Sequence, residues 1–234
     1  MCDLGKKVGL GYKLKDLGFG TGIFKPSPYV AVKVPVFSFE KLTDVDTHLG
    51  PEMKSTGEVL GIGNNLEEAL YKGLVASGWT MKKDGGVFIT VRDSDKKEIP
   101  EIAKKFDKMG FELYATIGTA NVLAKVGLTV KIVDKIHESS VNTITLLESG
   151  KVNYVISTSA KGRNPARDSV KIGRKASQLG IPCLTAVDTA NAMADSLMSR
   201  YTPENTEIID INNLKDEKQK IPFTKLQGCG NDYI

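Results

Sequence analysis

The stretch Phe111-Glu-Leu-Tyr-Ala-Thr-Ile-Gly-Thr-Ala120 decides the fold of this chain. Its first half carries apolar residues that favour a β-strand, and two threonines around a glycine end it. A helical pattern follows from Thr119 to the predicted terminator Gly127, with an apolar face of Ala120, Leu123 and Val126. A strand, a hydroxyl-and-glycine turn and a helix together present backbone N–H groups to an anion.

The composition is that of a globular protein with one full domain and part of a second. The chain has 234 residues, of which 41% are hydrophobic and 26% charged. A net charge of +4 suits small anionic ligands, and no compact basic stripe with interleaved aromatic residues indicates nucleic-acid binding. Cys2, Cys183 and Cys229 are far apart, which argues against a disulfide framework or a zinc site. Because this cysteine pattern fits a reducing compartment, we expect a cytoplasmic protein, and no signal peptide or long apolar run appears.

Strands and helices alternate regularly from Val87 onwards. The predicted strands cover residues 87–91, 111–115, 130–133, 154–156 and 182–185, with an edge strand at 208–211. Between them, helices are predicted at residues 96–109, from residue 119, before residue 150, at 167–179 and at 188–199. Pro100 moves the start of the first of these helices towards Glu98. Strict alternation predicts an α/β fold, a Rossmann-like doubly wound parallel sheet.

The residues before this alternation form a separate predicted unit. Residues 1–22 have too few apolar residues to close a core, while residues 29–34, 36–39 and 55–61 are predicted strands. Asn64 is predicted to cap a helix that ends at Gly78, with Glu67 completing a capping box and Leu66, Leu70 and Leu74 buried. We therefore predict a first unit at 1–80, a linker at 81–85, the α/β domain at 86–211, and a linker and tail at 212–234.

Polar side chains follow the predicted strands at their carboxyl ends, where parallel sheets bind ligands. They combine hydroxyls, a glycine and lysines, and the predicted anion-binding residues are Thr90, Lys96, Thr116, Gly118, Thr119, Lys135, Ser157, Thr158, Ser159 and Thr185. Each hydrogen bond to a charged group contributes about 1.5–3 kcal/mol, so several give an affinity of micromolar order. The pattern predicts a phosphate-monoester pocket without a catalytic group.

Simpler interpretations stand beside this one. Any single serine or threonine at a strand-to-helix turn is expected to be a helix N-cap, whereas capping does not need lysines at three strand ends. His137 is expected to be a structural or rim residue. The nearby carboxylates have ordinary roles as caps or solvated turns: Asp93, Asp95, Asp134 and Asp168. The sequence therefore predicts no catalytic acid and no metal site in this chain.

Two runs in the first unit resemble a known enzyme. Ala31-Val-Lys-Val-Pro-Val-Phe-Ser-Phe39 and Leu49-Gly-Pro-Glu-Met-Lys-Ser-Thr-Gly-Glu-Val59 are similar to the close of the second ATP-grasp unit of the carbamoyl-phosphate synthetase large subunit. Residues 86–211 resemble the C-terminal regulatory domain of that subunit, which shares its fold with methylglyoxal synthase. Thr224-Lys-Leu-Gln-Gly-Cys-Gly-Asn-Asp-Tyr233 resembles the opening of diaminopimelate epimerase.

The resemblance implies a regulatory site for a nucleotide monophosphate such as UMP or IMP. It carries this role onto the positions that match the family's motif: Thr90, Lys96, Thr116, Thr119, Lys135, Thr158 and Ser159. Ser157 stands where nucleotide-regulated members carry asparagine, which changes the expected base and ribose contacts. Val34 replaces the glutamate of ornithine-activated members, although Thr185 matches their threonine at the domain junction.

The resemblance also implies an incomplete ATP-grasp unit, whose phosphate loop and magnesium ligands correspond to sequence before Met1. The intact enzyme makes carbamoyl phosphate from ATP, bicarbonate and glutamine-derived ammonia, for pyrimidine and arginine synthesis, with Mg or Mn. The implied partners are the rest of the large subunit and the glutamine amidotransferase small subunit. This chain alone is expected to lack a cofactor and catalytic activity.

Two alternatives stay open. A free-standing lyase of the methylglyoxal synthase type, acting on a triose phosphate, needs an aspartate in the loop after the fourth strand. That loop reads Ser157-Thr-Ser-Ala-Lys-Gly-Arg-Asn-Pro165 and has no acid. A scaffold with an empty pocket would expose the apolar strands at 29–34 and 36–39, from which we expect self-association.

Overall fold

A computed structural model describes most of the chain. The described residues are 2–18, 28–36, 55–139, 142–158, 168–206, 209, 226–228 and 231–233. Residues 37–39 of the predicted strand at 36–39, the predicted edge strand at 208–211 (apart from Ile209) and residues 212–225 of the predicted linker and tail fall outside them. None of the described helices has the length and hydropathy that crossing a bilayer requires.

The first unit is a small antiparallel sheet covered by one helix. It begins with helix α1 (Cys2–Gly9) and a 3-10 turn (Leu14–Leu17), neither of which was predicted. Strands β1 (Val30–Val36) and β2 (Gly57–Gly63) pair antiparallel, and helix α2 (Leu66–Ala76) packs across them. A Cβ added at Gly61 would lie 1.9 Å from the Ala69 carbonyl oxygen, so only glycine allows this close approach.

The cap of α2 differs by one residue from the prediction. Asn65, rather than Asn64, is the N-cap, and its side chain accepts a hydrogen bond from the Glu68 N–H at 2.9 Å. The Glu68 carboxylate in turn accepts from the Asn64 N–H at 2.8 Å. The sequence predicted reciprocal hydrogen bonds between an asparagine and a glutamate at this helix start. It did not show which of the two adjacent asparagines is the N-cap.

In the described residues the main sheet has five parallel strands, at the positions predicted for the first five strands of the α/β domain. They are β3 (Gly86–Thr90), β4 (Glu112–Ala115), β5 (Val130–Ile132), β6 (Val152–Ser157) and β7 (Cys183–Leu184), in the order β5-β4-β3-β6-β7. The chain moves outwards from β3 to β5, then returns to β6 on the other side of β3. The doubly wound α/β fold is therefore confirmed, with its topological switch between β3 and β6.

Five helices cover the two faces of this sheet. They are α3 (Ile99–Lys108), α4 (Ile117–Lys125), α5 (Thr143–Glu148), α6 (Asp168–Gln178) and α7 (Val187–Met198). Pro100 lies in the first turn of α3, as predicted, after a 3-10 turn at Asp93–Lys97. Helix α4 begins two residues before the predicted start at Thr119, and Val126 lies beyond its end with 42% exposure instead of facing the core.

One core cluster joins the first unit to the main sheet. It contains Val32 and Leu74 of the first unit together with Phe106, Met193 and Leu197 from α3 and α7. A second cluster lies on the opposite sheet face, under α5 and α6. Helix α7 therefore contacts both the sheet and α2, while the predicted boundary at 81–85 stays a prediction.

The tail forms a short hairpin in the described residues. Strand β8 (Leu226–Gly228) pairs antiparallel with β9 (Asn231–Tyr233). The two strands pair with each other and form a sheet of their own.

Candidate anion-binding site

Three hydroxyl side chains form a row across the carboxyl ends of adjacent strands. Thr90 ends β3 and stands opposite Ser157 of β6 in the parallel register. On its other side, the Thr90 hydroxyl lies 3.1 Å from the hydroxyl of Thr116, which follows β4. We call Thr116, Thr90 and Ser157 the hydroxyl row. Alternation along the strands places all three on the sheet face that α5 and α6 cover.

Ser157 is the unusual member of the hydroxyl row. Its side chain is only 4% exposed, yet its Oγ has no hydrogen-bond partner among the described residues. A buried hydroxyl without a partner costs about 1–3 kcal/mol, so such a group calls for an explanation. An acceptor supplied by a ligand would satisfy it.

The amino end of α4 is not capped by a side chain of the described structure. Thr116 occupies the N-cap position, but its hydroxyl contacts Thr90 instead of a backbone N–H of α4. The expectation that this threonine is an ordinary cap is therefore wrong. The N–H groups of Ile117 and Gly118 cannot find partners within the helix, because its first turn has no preceding carbonyls. They remain available to an anion, which the partial positive charge of the helix end favours.

Lys96 brings a full positive charge to this helix end. A Cβ added at Gly118 would lie 3.2 Å from the Lys96 Nζ, so the ammonium group rests against the first turn of α4. The same Nζ lies 2.6 Å from an Asp93 carboxylate oxygen, and that carboxylate is 94% exposed. The Lys96 hydrogen bond lowers the pKa of Asp93, which therefore stays ionised.

Thr119 and Thr158 hold the loop that carries Lys96. The Thr119 hydroxyl accepts a hydrogen bond from the Val91 N–H at 3.3 Å, and the Thr158 hydroxyl accepts from the Arg92 N–H at 3.1 Å. Both side chains are more than nine-tenths buried. Two of the predicted binding residues thus fix the backbone that follows β3, and through it the position of the predicted lysine.

Asp95 completes the support of this loop. Burial raises the pKa of Asp95, but hydrogen bonds from Ser94, Arg92 and Thr158 outweigh burial and hold its pKa below the ordinary value. Both carboxylate oxygens lie 2.9 Å from the Arg92 Nε. The sequence interpretation of Asp95 as a cap or solvated turn is wrong in detail, since the residue is buried and satisfied.

The remaining predicted residues lie apart from the hydroxyl row. Lys135 follows β5 with an exposed side chain, and its backbone N–H donates to the Glu138 carboxylate at 3.0 Å. Thr185 follows β7 and is also exposed. Ser159 lies outside the described residues. Thr90 and Thr116 are therefore in contact, Ser157 stands opposite Thr90 in the strand register, and Lys96 lies against Gly118. No described hydrogen bond or ion pair connects Lys135 or Thr185 to these residues.

A basic and acidic cluster that sequence reasoning missed lies beside α6. The Nε2 atom of His137 is 3.3 Å from the Asp168 carboxylate and 3.4 Å from the Lys171 Nζ. Asp168 and Lys171 belong to α6, whereas His137 belongs to the loop after β5. The only sequence signal was the position of each residue after a predicted strand, which does not reveal their pairing.

A cleft of about 250 Å³ lies at the opposite edge of the sheet. It is lined by the start of β6 and the ends of α5 and α6, with Lys82 and Glu148 among its polar residues. None of the predicted binding residues borders it.

The fold and this arrangement of strand ends agree with the family comparison. Residues 98–185 match the family model of the MGS-like domain. The match to the MGS-like domain runs from the start of α3 to the end of β7, so it includes Thr116 and Ser157. Strand β3 and Lys96 lie just before the matched residues, although β3 pairs with β6 in the same sheet and Lys96 lies against the first turn of α4.

Proposed function

We propose that the MGS-like domain of this chain binds the phosphate group of a small phosphorylated effector, such as UMP or IMP, at the carboxyl edge of its sheet. One observation supports this proposal above the others. Thr116 stands at the N-cap of α4 without capping it, and leaves the helix end open beside the Lys96 ammonium. A phosphate there would accept hydrogen bonds from two backbone N–H groups of α4 and would form an ion pair with the Lys96 ammonium.

The hydroxyl row offers further polar groups that could bind the organic part of a phosphate ester. Thr90 and Thr116 satisfy each other, while Ser157 is buried without a described partner. The row spans the topological switch between β3 and β6, at the carboxyl edge where doubly wound sheets bind ligands. We therefore place the phosphate at α4 and the esterified group towards Ser157.

We further propose that this domain regulates a carbamoyl-phosphate synthetase, acting with the remainder of its large subunit and the glutamine amidotransferase subunit in the cytoplasm. The MGS-like domain is shared by the allosteric domains of that enzyme and by methylglyoxal synthase. The resemblance of residues 29–63 to an ATP-grasp unit favours the first. The described residues contain no group of three or more His, Cys, Asp or Glu side chains suited to a metal. On the same resemblance, we propose that ATP and its Mg or Mn bind in the complete enzyme.

The packing supports a regulatory role. Helix α7 starts after β7, at the carboxyl edge, and packs against α2 of the first unit. Asn65 donates to the Tyr201 hydroxyl at 2.7 Å, and the Lys83 ammonium donates to the Ser199 carbonyl at 2.7 Å. A ligand that biases the strand ends could therefore alter the neighbouring unit through a directly packed helix.

Thermal denaturation with 1 mM UMP, IMP, inorganic phosphate or ornithine tests the effector proposal. A ligand at one hundred times its Kd stabilises the folded state by about 2.7 kcal/mol, which raises the Tm by about 5–11 °C in a chain of this size. Lys96→Met, which removes the ammonium beside the first turn of α4, should strongly reduce the shift. Thr56→Val, which removes an exposed hydroxyl from the first unit, should preserve it. Absence of any shift in the unmodified chain would refute effector binding.

The His137–Asp168 pair favours a second candidate function, a lyase that removes phosphate from a triose phosphate. Such a reaction needs a group that takes a proton next to the carbonyl, and a His–Asp pair at 3.3 Å can supply one. Asp168 begins α6 shortly after the loop at 157–165, where a lyase of this type needs an aspartate and the sequence has none. Incubation with dihydroxyacetone phosphate decides between the functions: turnover that His137→Ala abolishes would establish the lyase, and no turnover would exclude it.

A further inference from the structure

Lys96 lies between two groups of opposite electrostatic character. On one side its ammonium rests against the first turn of α4, close to the Gly118 backbone. On the other side it lies 2.6 Å from the Asp93 carboxylate. The lysine side chain is 26% exposed, whereas that of Asp93 is 94% exposed. The ammonium is therefore partly sheltered, and its counter-ion stands in solvent.

The contact with α4 is unfavourable for a lysine without a counter-ion. The amino end of a helix carries a partial positive charge, which repels cations and attracts anions. The neighbouring Asp95 carboxylate is already paired with Arg92 within the same loop. Asp93 is thus the described carboxylate that compensates Lys96 when no ligand is present.

We propose that Asp93 sets the affinity of the site by competing with the bound anion for Lys96. This inference rests on the proposed function, because it concerns the same phosphate position. A phosphate that binds between α4 and Lys96 must draw the ammonium away from Asp93, and its own charge is repelled by that carboxylate. Asp93 therefore weakens anion binding, and it weakens the binding of dianions more than that of monoanions.

A matched ion pair shows why this role is specific to Asp93. Lys104 and Glu101 have the same spacing along the chain and lie 2.8 Å apart, but both side chains are well exposed on α3. The Lys104 ammonium donates a hydrogen bond to the Glu101 carboxylate, and no described hydrogen bond or ion pair joins either residue to the start of α4. The Asp93–Lys96 pair differs because its lysine faces the proposed ligand.

The test is calorimetric titration of inorganic phosphate into the full chain and into Asp93→Asn, at pH 7.5 and low salt. Exposed ion pairs contribute little, so the substitution should tighten phosphate binding by roughly two- to fivefold. The gain should shrink as salt is raised, because the carboxylate is exposed and screened. Glu58→Gln is the matched control, since it removes an exposed carboxylate from the Lys33 pair at 2.7 Å in the first unit, and it should leave the affinity unchanged.

A second variant isolates the pair. If Asp93 acts through Lys96, the effect of Asp93→Asn should be smaller in a Lys96→Met background than in the unmodified chain. NMR titration of the Asp93 carboxyl gives an independent readout. Its lowered pKa, caused by the Lys96 hydrogen bond, should rise when phosphate is added, because the ammonium moves away.

The outcomes separate this inference from the proposed function. If the unmodified chain binds no phosphate, both are refuted. If it binds phosphate but Asp93→Asn binds equally or more weakly, the inference alone is overturned, and Asp93 is then neutral or positions Lys96. If Asp93→Asn changes phosphate affinity equally in the unmodified chain and in the Lys96→Met background, the inference is also overturned.

Discussion

Gly118→Ala should make the protein more stable and its anion site weaker. Alanine has a higher helix propensity than glycine, and near the start of α4 the gain is about 0.5–1 kcal/mol. That gain corresponds to a Tm increase of about 1–4 °C in the absence of ligand. The added methyl group would lie 3.2 Å from the Lys96 Nζ, a contact that the flexible lysine must relieve by moving a few tenths of an ångström.

The same methyl group lies where the proposed phosphate approaches α4. If the ammonium is displaced and its hydrogen bond to the ligand is lost, binding weakens by about 1.5–3 kcal/mol, or about 10- to 150-fold. Calorimetric titration with phosphate measures this change, and thermal denaturation without ligand measures stability. A variant that is merely damaged would lose both stability and phosphate affinity. A gain in stability together with a loss of phosphate affinity therefore indicates that Gly118 lies at the binding site.

Gly5→Ala provides the control for this prediction. Gly5 lies in α1, where an added Cβ meets no atom within 4 Å. It tests the same substitution in a helix outside the main sheet, and phosphate affinity should be unchanged. If Gly118→Ala binds phosphate as tightly as the unmodified chain, Lys96 and the first turn of α4 do not form the site together.

Three further predictions concern buried polar groups. Ser157→Ala removes a buried hydroxyl without a described partner, so urea denaturation should show stability unchanged or raised by up to about 1 kcal/mol, while effector binding weakens. Tyr154→Phe removes the hydrogen bond at 2.8 Å to the Lys82 carbonyl, which should lower the free energy of unfolding by about 1 kcal/mol. Burial raises the pKa of Glu68, but hydrogen bonds from Lys72 and Asn64 outweigh it and the pKa is lowered. The stabilisation from this carboxylate should therefore be present above its unfolded pKa and be lost as the pH falls through the folded pKa, a dependence that acid denaturation of Glu68→Gln should lack.

Sequence patterns predicted the main sheet because its signals are local. Apolar runs separated by helical periods specify strands and helices, and alternation of the two specifies a parallel sheet. The terminators behaved as expected, since Gly127 and Gly180 both adopt positive φ after their helices. Helix α1 was missed because its sequence has few apolar residues, and its residues from Leu4 onward are largely exposed.

The candidate site was only partly predictable. The positions of Thr90, Thr116 and Ser157 at strand ends follow from the sequence, because carboxyl ends of parallel strands meet at one edge. The sequence does not say which of these hydroxyls caps a helix, which one contacts a neighbouring strand and which one lacks a described partner. These outcomes depend on distances of a few tenths of an ångström. The sequence contains no such information.

By itself, then, the sequence determined the α/β alternation and the edge at which polar residues collect, since both follow from periodicity along the chain. Tertiary structure alone decided the rest. It placed Lys96 against the first turn of α4 beside Asp93, and it paired His137 in the loop after β5 with Asp168 at the start of α6. The physical reason is that electrostatic and hydrogen-bond contacts depend on separation in space, which residues distant in the chain acquire only through the packing of the whole fold.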